Sequence, residues 1–181
     1  MNNNKRLVHK PRKSLGQNFL HDPHVIHKII TACQLQRDET VLEIGPGLGA
    51  LTEKIAPAVK CFHAVEKDHD LYAHLTKNIL SANSTLYHQD FLDFNFSKLP
   101  PPLKIIGNLP YNISSPIIEK LIQNRAKISD VFITVQLEFG KRLVATPGSK
   151  DYSALSCVIQ YFAEPKDRKS TRLNSSHVAL S

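Results

Sequence analysis

Cysteine is scarce in this chain and never paired. Cys33, Cys61 and Cys157 are its only three, too far apart for the spacings of zinc sites or dithiol redox motifs. A disulfide framework is thereby excluded, and reduced, mostly buried thiols in a cytoplasmic protein are expected. Long apolar runs are missing too. Nothing approaches the ~20 apolar residues that span a bilayer, and the opening MNNNKRLVHK has no apolar signal region, so neither membrane insertion nor secretion is expected. Acidic residues are absent before Asp22, and in that acid-free stretch Lys5, Arg6, Lys10, Arg12 and Lys13 form a basic arm. Such an arm can lie along phosphates, with counterion release supplying the binding free energy; a solvated tail is the alternative. The formal net charge of +7 over 181 residues favours a polyanionic partner in the same way. His21, His24 and His27 share a helical face, yet no carboxylate or thiol cluster completes a metal site around them, and none is expected.

What is present reads as one domain, since 41% hydrophobic residues suffice for a core at this length. Short β-rich runs at 40–44 (TVLEI), 61–66 (CFHAVE), 84–89 (STLYHQ), 103–109 (LKIIGNL) and 131–138 (VFITVQLE) alternate with helical patterns near 50–55, 68–79, 116–124 and 139–144. A further helical pattern at 24–35 precedes them. Strand and helix in alternation predict an α/β fold, a mostly parallel sheet with helices on both faces and ligands bound beyond the carboxyl ends of the strands. No internal repeat interrupts the pattern, and LPPPL at 99–103 reads as a stiff loop.

The last fifteen residues, DRKSTRLNSSHVALS, change character after Glu164-Pro165. They are polar and aperiodic, and residues 167–177 resemble the translation of a sequencing-library adapter. The expected organisation is therefore an arm and helix at 1–37, a catalytic domain at 38–166, and a non-native tail at 167–181 that plays no part in the fold.

The strand ends carry the chemistry. In LEIGPGLGALT (42–52), Gly45, Gly47 and Gly49 let the backbone turn tightly and approach a ligand. The pattern suits dinucleotides as well as S-adenosylmethionine. Ala50 stands where the dinucleotide form has its last glycine, and that form tolerates alanine there, so both remain open. Glu66 closes the second strand run about 20 residues on, where an acceptor pair can hold two ribose hydroxyls. Asp90, in HQDFLDF after the third run, can accept from an adenine amine, with Phe91 beside the ring. GNLPYNIS (107–114) follows the fourth run. A nucleobase amine is a poor nucleophile because its lone pair is delocalised. Two acceptors, the Asn108 side chain and the Leu109 carbonyl turned inward by Pro110, can bind the amine hydrogens and free that pair, while Tyr111 stacks on the extruded base. Positioning and electrostatics then suffice, without a strong base. A plain turn opening a helix is the alternative.

SLGQNFL, VLEIGPGLGALT, GNLPYNISSPII and VQLEFGKRL together resemble the ribosomal RNA adenine dimethyltransferases, over about Lys13 to Phe162. The likeness is strongest to the bacterial branch that dimethylates two adjacent adenines near the 3′ end of small-subunit (16S) ribosomal RNA. The resemblance implies a Rossmann-like methyltransferase domain and S-adenosylmethionine as cofactor. It implies cofactor contacts at Asn18, Leu20, Gly45, Glu66, Asp90 and Asn108, with Gly47 and Phe91 beside them, and a target-amine site at Asn108, Leu109, Pro110 and Tyr111. It further implies a monomer acting on small-subunit RNA or its precursor particle during ribosome biogenesis, and a helical C-terminal domain that does not follow Phe162 here. The alternatives are an enzyme for large-subunit RNA, a DNA adenine methyltransferase, which GNLPYNIS in place of D-P-P-Y disfavours, and a non-catalytic assembly factor.

Overall fold

The computed structural model describes residues 19–78, 81–167 and, for the backbone, 175–180. Among the described residues thirteen strands and α-helices follow in chain order: α1 (Pro23–Cys33), β1 (Thr40–Ile44), α2 (Thr52–Ile55), β2 (Cys61–Glu66), α3 (His69–Asn78), β3 (Ser84–His88), β4 (Leu103–Asn108), α4 (Ser114–Gln123), β5 (Ile128–Gln136), α5 (Leu137–Leu143), α6 (Ala154–Phe162), β6 (Pro165–Asp167) and β7 (Ser175–Leu180). The sheet order is β3-β2-β1-β4-β5-β7-β6. The first five strands pair in parallel, and β7 joins β5 and β6 antiparallel. The chain reverses its lateral direction between β1 and β4, which opens a crevice at their carboxyl ends.

Alternation along the strands divides the core in two. Val41, Phe62, Ala64 and Ile106 face α1 and α2, meeting Val25, Ile29, Cys33 and Ile55. Leu42, Ile44, Val65 and Ile105 face the other way, against Ile117, Ile118 and Leu121 of α4, Leu143 of α5 and Ile159 of α6. The sheet is thus covered on both faces, as its near-continuous apolar strands require. α1 starts where Asp22 accepts from the His24 N–H at 2.8 Å with Pro23 in its first turn. Its far end is tied to β4 by the buried Lys104, whose Nζ donates to the Cys33 carbonyl at 2.9 Å and pairs with Glu39.

Several boundaries differ from the sequence expectations. The fifth strand runs from Ile128 to Gln136, and Leu137-Glu138 open α5 instead of closing the strand. α4 begins at Ser114, with Pro116 inside its first turn, where no intrahelical donor is lost. α6 was not anticipated. Its local signal is a reciprocal cap between Ser153 and Ser156 ahead of an apolar run. Within residues 167–181, set aside in the sequence reading as a non-native tail, Ser175–Leu180 pairs along β5 from Val131 to Gln136. An uncovered β5 would expose a row of backbone donors and acceptors, and an antiparallel strand satisfies them whatever its side chains.

Candidate functional site

One cavity runs across the carboxyl ends of four adjacent strands. Its walls include Glu43 and Ile44 ending β1, Gly45 to Leu48 in the following loop, Glu66 and Lys67 at the end of β2, Asp90 and Phe91 after β3, and Asn108 to Pro110 after β4. Because the lateral order is β3-β2-β1-β4, Asp90, Glu66, Gly45 and Asn108 stand in a row. Adjacent strands lie about 4.8 Å apart, so the row runs roughly 14 Å. That suits an extended ligand with a hydrogen-bonding ring at one end.

Local sequence explains each position. Gly45 and Gly47 adopt φ +62° and +60°, a region that L side chains rarely enter. A Cβ on Gly47 would also stand 3.2 Å from Phe19 Cδ1, so the glycine lets the chain before α1 close over the loop. Glu66 is buried, 6% exposed, and its carboxylate ties the site together. Oε2 accepts from the Gly47 N–H at 3.1 Å and Oε1 from the Asp68 N–H at 2.8 Å. Asp68 Oδ1 in turn accepts from Asp70 N–H and Leu71 N–H at the start of α3. Burial raises the Glu66 carboxyl above its ordinary range, against the opposing pull of these backbone donors. With backbone donors at Asp68, Gly47 and Lys67, the carboxylate retains acceptor capacity for a further donor.

At the other end, β4 delivers Asn108 through a glycine whose reason is close approach. A Cβ on Gly107 would lie 3.1 Å from Ile44 Cβ and 3.2 Å from the Ile44 carbonyl oxygen. Beyond it, Leu109 N–H donates to the Thr134 carbonyl at 2.9 Å, and Ser114 Oγ donates to the Pro110 carbonyl at 2.8 Å. Ser114 therefore braces the Asn-Leu-Pro turn and does not cap α4 as an acceptor.

Of the residues singled out from sequence, Leu20, Gly45, Gly47, Glu66, Asp90, Phe91, Asn108, Leu109 and Pro110 all border this cavity. Tyr111 does not; it is 64% exposed just beyond. Phe91 is mostly core, edge-on to Phe96 with ring centroids 5.9 Å apart. Asn18 and the basic residues Lys5, Arg6, Lys10, Arg12 and Lys13 lie outside the described residues. Among the described residues no group of His, Cys, Asp or Glu is placed to hold a metal ion. Sequence reasoning overlooked Phe19, although it sits inside SLGQNFL, and Lys67, the direct neighbour of Glu66.

Glu43 lies in β1, two residues before Gly45. It is 2% exposed on the cavity wall, and Oε2 accepts from Thr52 Oγ1 at 2.7 Å. Burial first, then the nearby Glu66 charge, push its carboxyl from the ordinary 4.5 to about 8, against the Thr52 hydroxyl. Between these values the folded chain holds a proton that the unfolded chain has released. The stability that Glu43 contributes is therefore fully present below the lower value and is lost as pH rises through the upper one; Glu66, shifted the same way, adds to the slope. Glu43→Gln is expected to remove most of this slope and to be the more stable form at about pH 8, as urea unfolding across the window would show. Equal slopes for the two forms would contradict the assignment.

The comparisons agree with this geometry. A family model described as ribosomal RNA adenine dimethylase matches residues 8–167. The Ribosomal RNA small subunit methyltransferase A of Aromatoleum aromaticum is 44% identical over 153 residues, which make up 84% of this chain and 58% of that protein. Its namesake from Moorella thermoacetica is 41% identical over 167 residues, 86% of this chain and 58% of that protein. The chain thus spans less than two thirds of these relatives' length. Among solved structures, a dimethyladenosine transferase from Plasmodium falciparum superposes with a TM-score of 0.81 at 29% identity, covering 90% of this chain and 62% of that one. The 23S rRNA methyltransferase ErmE gives 0.72 at 26% identity, covering 90% and 69%. With a family match across nearly its whole length and relatives above 40% identity, the chain belongs to the ribosomal RNA adenine dimethylase family.

Proposed function

We propose that this chain carries the methyl-transferring domain of an enzyme that uses S-adenosylmethionine to dimethylate two adjacent adenines near the 3′ end of small-subunit ribosomal RNA. The observation that supports it most is the row Asp90, Glu66, Gly45 and Asn108 along one cavity, in a chain whose relatives carry small-subunit methyltransferase names. The residues present fit the cofactor. Glu66 offers two carboxylate oxygens for vicinal ribose hydroxyls, Asp90 offers an acceptor for a purine amine, and a Cβ on Gly45 would meet nothing within 4 Å, so the backbone there is bare towards a ligand.

Bound S-adenosylmethionine supplies an electrophilic methyl group. The chain supplies the rest. Asn108, fixed at the end of β4 between Gly107 and the braced Leu109-Pro110 turn, accepts from the target amine and draws its nitrogen towards a tetrahedral shape. Pro110 shapes that turn, and the Leu109 carbonyl is the second acceptor. Tyr111, largely exposed, receives the extruded base on its ring face, a contact worth about 1–3 kcal/mol in nucleic-acid complexes. Among the described residues no helix is long and apolar enough to cross a membrane.

The test is transfer of tritiated methyl groups to unmethylated small subunits, with large subunits and duplex DNA alongside. Label entering small subunits alone supports the reading; label entering only large subunits or DNA reassigns the substrate. The basic arm makes a separate prediction. Deleting residues 1–12, which removes four of its five cations, is expected to weaken RNA binding and flatten its dependence on salt, while cofactor affinity stays nearly constant. An unchanged slope of log affinity against log salt would show the arm to be only a tail.

A further inference from the structure

A cation stands at the nucleoside end of the cavity. Lys67 lines the same space as Glu66, and its Nζ donates to Asp90 Oδ2 at 2.7 Å. The other Asp90 oxygen, Oδ1, accepts from the Leu92 N–H at 2.9 Å. The pair is graded in exposure, 59% for the lysine side chain and 24% for the aspartate, so the ammonium faces water while the carboxylate is turned inward. Burial opposes ionisation of Asp90, but the Lys67 and Leu92 donors outweigh it and hold the carboxyl below its ordinary range.

A carboxylate held by donors at both oxygens cannot turn freely, and each oxygen retains one direction for another N–H. Without the lysine, Asp90 keeps a single tether at Oδ1, and its second oxygen is free to swing towards solvent. An aromatic ring settling over an unpaired carboxylate must also strip its hydration, a cost that a neighbouring cation offsets.

We propose that Lys67 is a positioning residue for the cofactor's nucleobase: it orients the Asp90 carboxylate towards an exocyclic purine amine. The proposal rests on the reading of the cavity as an S-adenosylmethionine site. A lysine that merely competed with the ligand for Asp90 would have the opposite effect on affinity, which makes the sign decisive.

The experiment is calorimetric titration of S-adenosylhomocysteine into the full chain and into Lys67→Met, Lys67→Arg, Asp90→Ala and the Lys67→Met/Asp90→Ala double variant. Lys67→Met preserves the wall and removes the charge. It is expected to weaken binding by roughly two- to five-fold, the scale of a partly exposed ion pair, with the thermal midpoint unchanged. Lys67→Arg is expected to restore affinity. In the Asp90→Ala background the Lys67→Met change is expected to have no further effect, because its action passes through that carboxylate. Unchanged or tighter binding by Lys67→Met overturns the proposal, as does an equal loss in the Asp90→Ala background or failure of Lys67→Arg to rescue. Failure of the unaltered chain to bind S-adenosylhomocysteine is a different outcome, which overturns the cofactor assignment and this proposal with it.

Discussion

Asn108→Ala is expected to slow methyl transfer by about 10²- to 10³-fold in single-turnover measurements, the scale lost when one preorganised electrostatic partner is removed. RNA affinity should change little, because the side chain is proposed to act on the amine chiefly as the methyl group moves. The structure gives a reason for so large an effect from one amide. A side chain at Gly107 would crowd Ile44, Leu109 N–H is anchored on Thr134, and Ser114 holds the Pro110 carbonyl. The acceptor is thus set in place before the substrate arrives and needs no reorganisation. Tyr111 is expected to behave differently. Tyr111→Ala should impair capture of the extruded adenine as well as the rate, whereas Tyr111→Phe should retain most activity, since stacking needs the ring and not the hydroxyl. A wild-type rate for Asn108→Ala, or a Tyr111→Phe form as inactive as Tyr111→Ala, would show that these roles are wrongly assigned.

The second large effect concerns Glu66. On the proposed reading, replacing it with alanine removes two charge-assisted hydrogen bonds to the ribose, at roughly 1.5–3 kcal/mol each, and is expected to weaken S-adenosylmethionine binding by at least about 10²-fold. It also leaves the Gly47 and Asp68 N–H groups without the acceptor they use now, so the glycine loop and the start of α3 should loosen together. A lower thermal midpoint is therefore part of the expected result, and affinity must be measured on the folded fraction. Glu66→Gln keeps an oxygen acceptor for one of these donors and is expected to fall between the two. Unchanged affinity in Glu66→Ala would remove the residue from the site, and a preference of the unaltered chain for NAD would redirect the cavity to a different chemistry.

The parallel sheet was readable because its strands are short apolar runs separated by helical periods, a pattern that depends on local residues alone. Glu66 and Asp90 were readable for a related reason: in this architecture ligands gather where strands end, so a polar residue at a strand terminus draws notice. Phe19 and Lys67 were not. Phe19 matters through a glycine 28 positions later, whose missing Cβ makes room for its ring, and Lys67 through a carboxylate 23 positions away. No local period records such contacts. The starts of β5 and α4 were missed because Ser129-Asp130 and Ser114-Ser115 are weak strand and helix formers, and tertiary pairing decides. The placement of Ser175–Leu180 beside β5 was missed because SSHVAL, polar in its first half and apolar in its second, shows no strand alternation.

The central claim is that this cavity delivers methyl groups to the exocyclic amines of adenine in RNA. Its most direct test is the modified nucleoside itself. Unmethylated small subunits would be incubated with S-adenosylmethionine and the chain in excess, the RNA digested, and the nucleosides identified by mass spectrometry beside an Asn108→Ala control. The account predicts N6,N6-dimethyladenosine from two adjacent positions near the 3′ end, and little or none with Asn108→Ala. A methyl group found on a ribose, on a ring carbon or on another base, or a yield indifferent to Asn108, would contradict it.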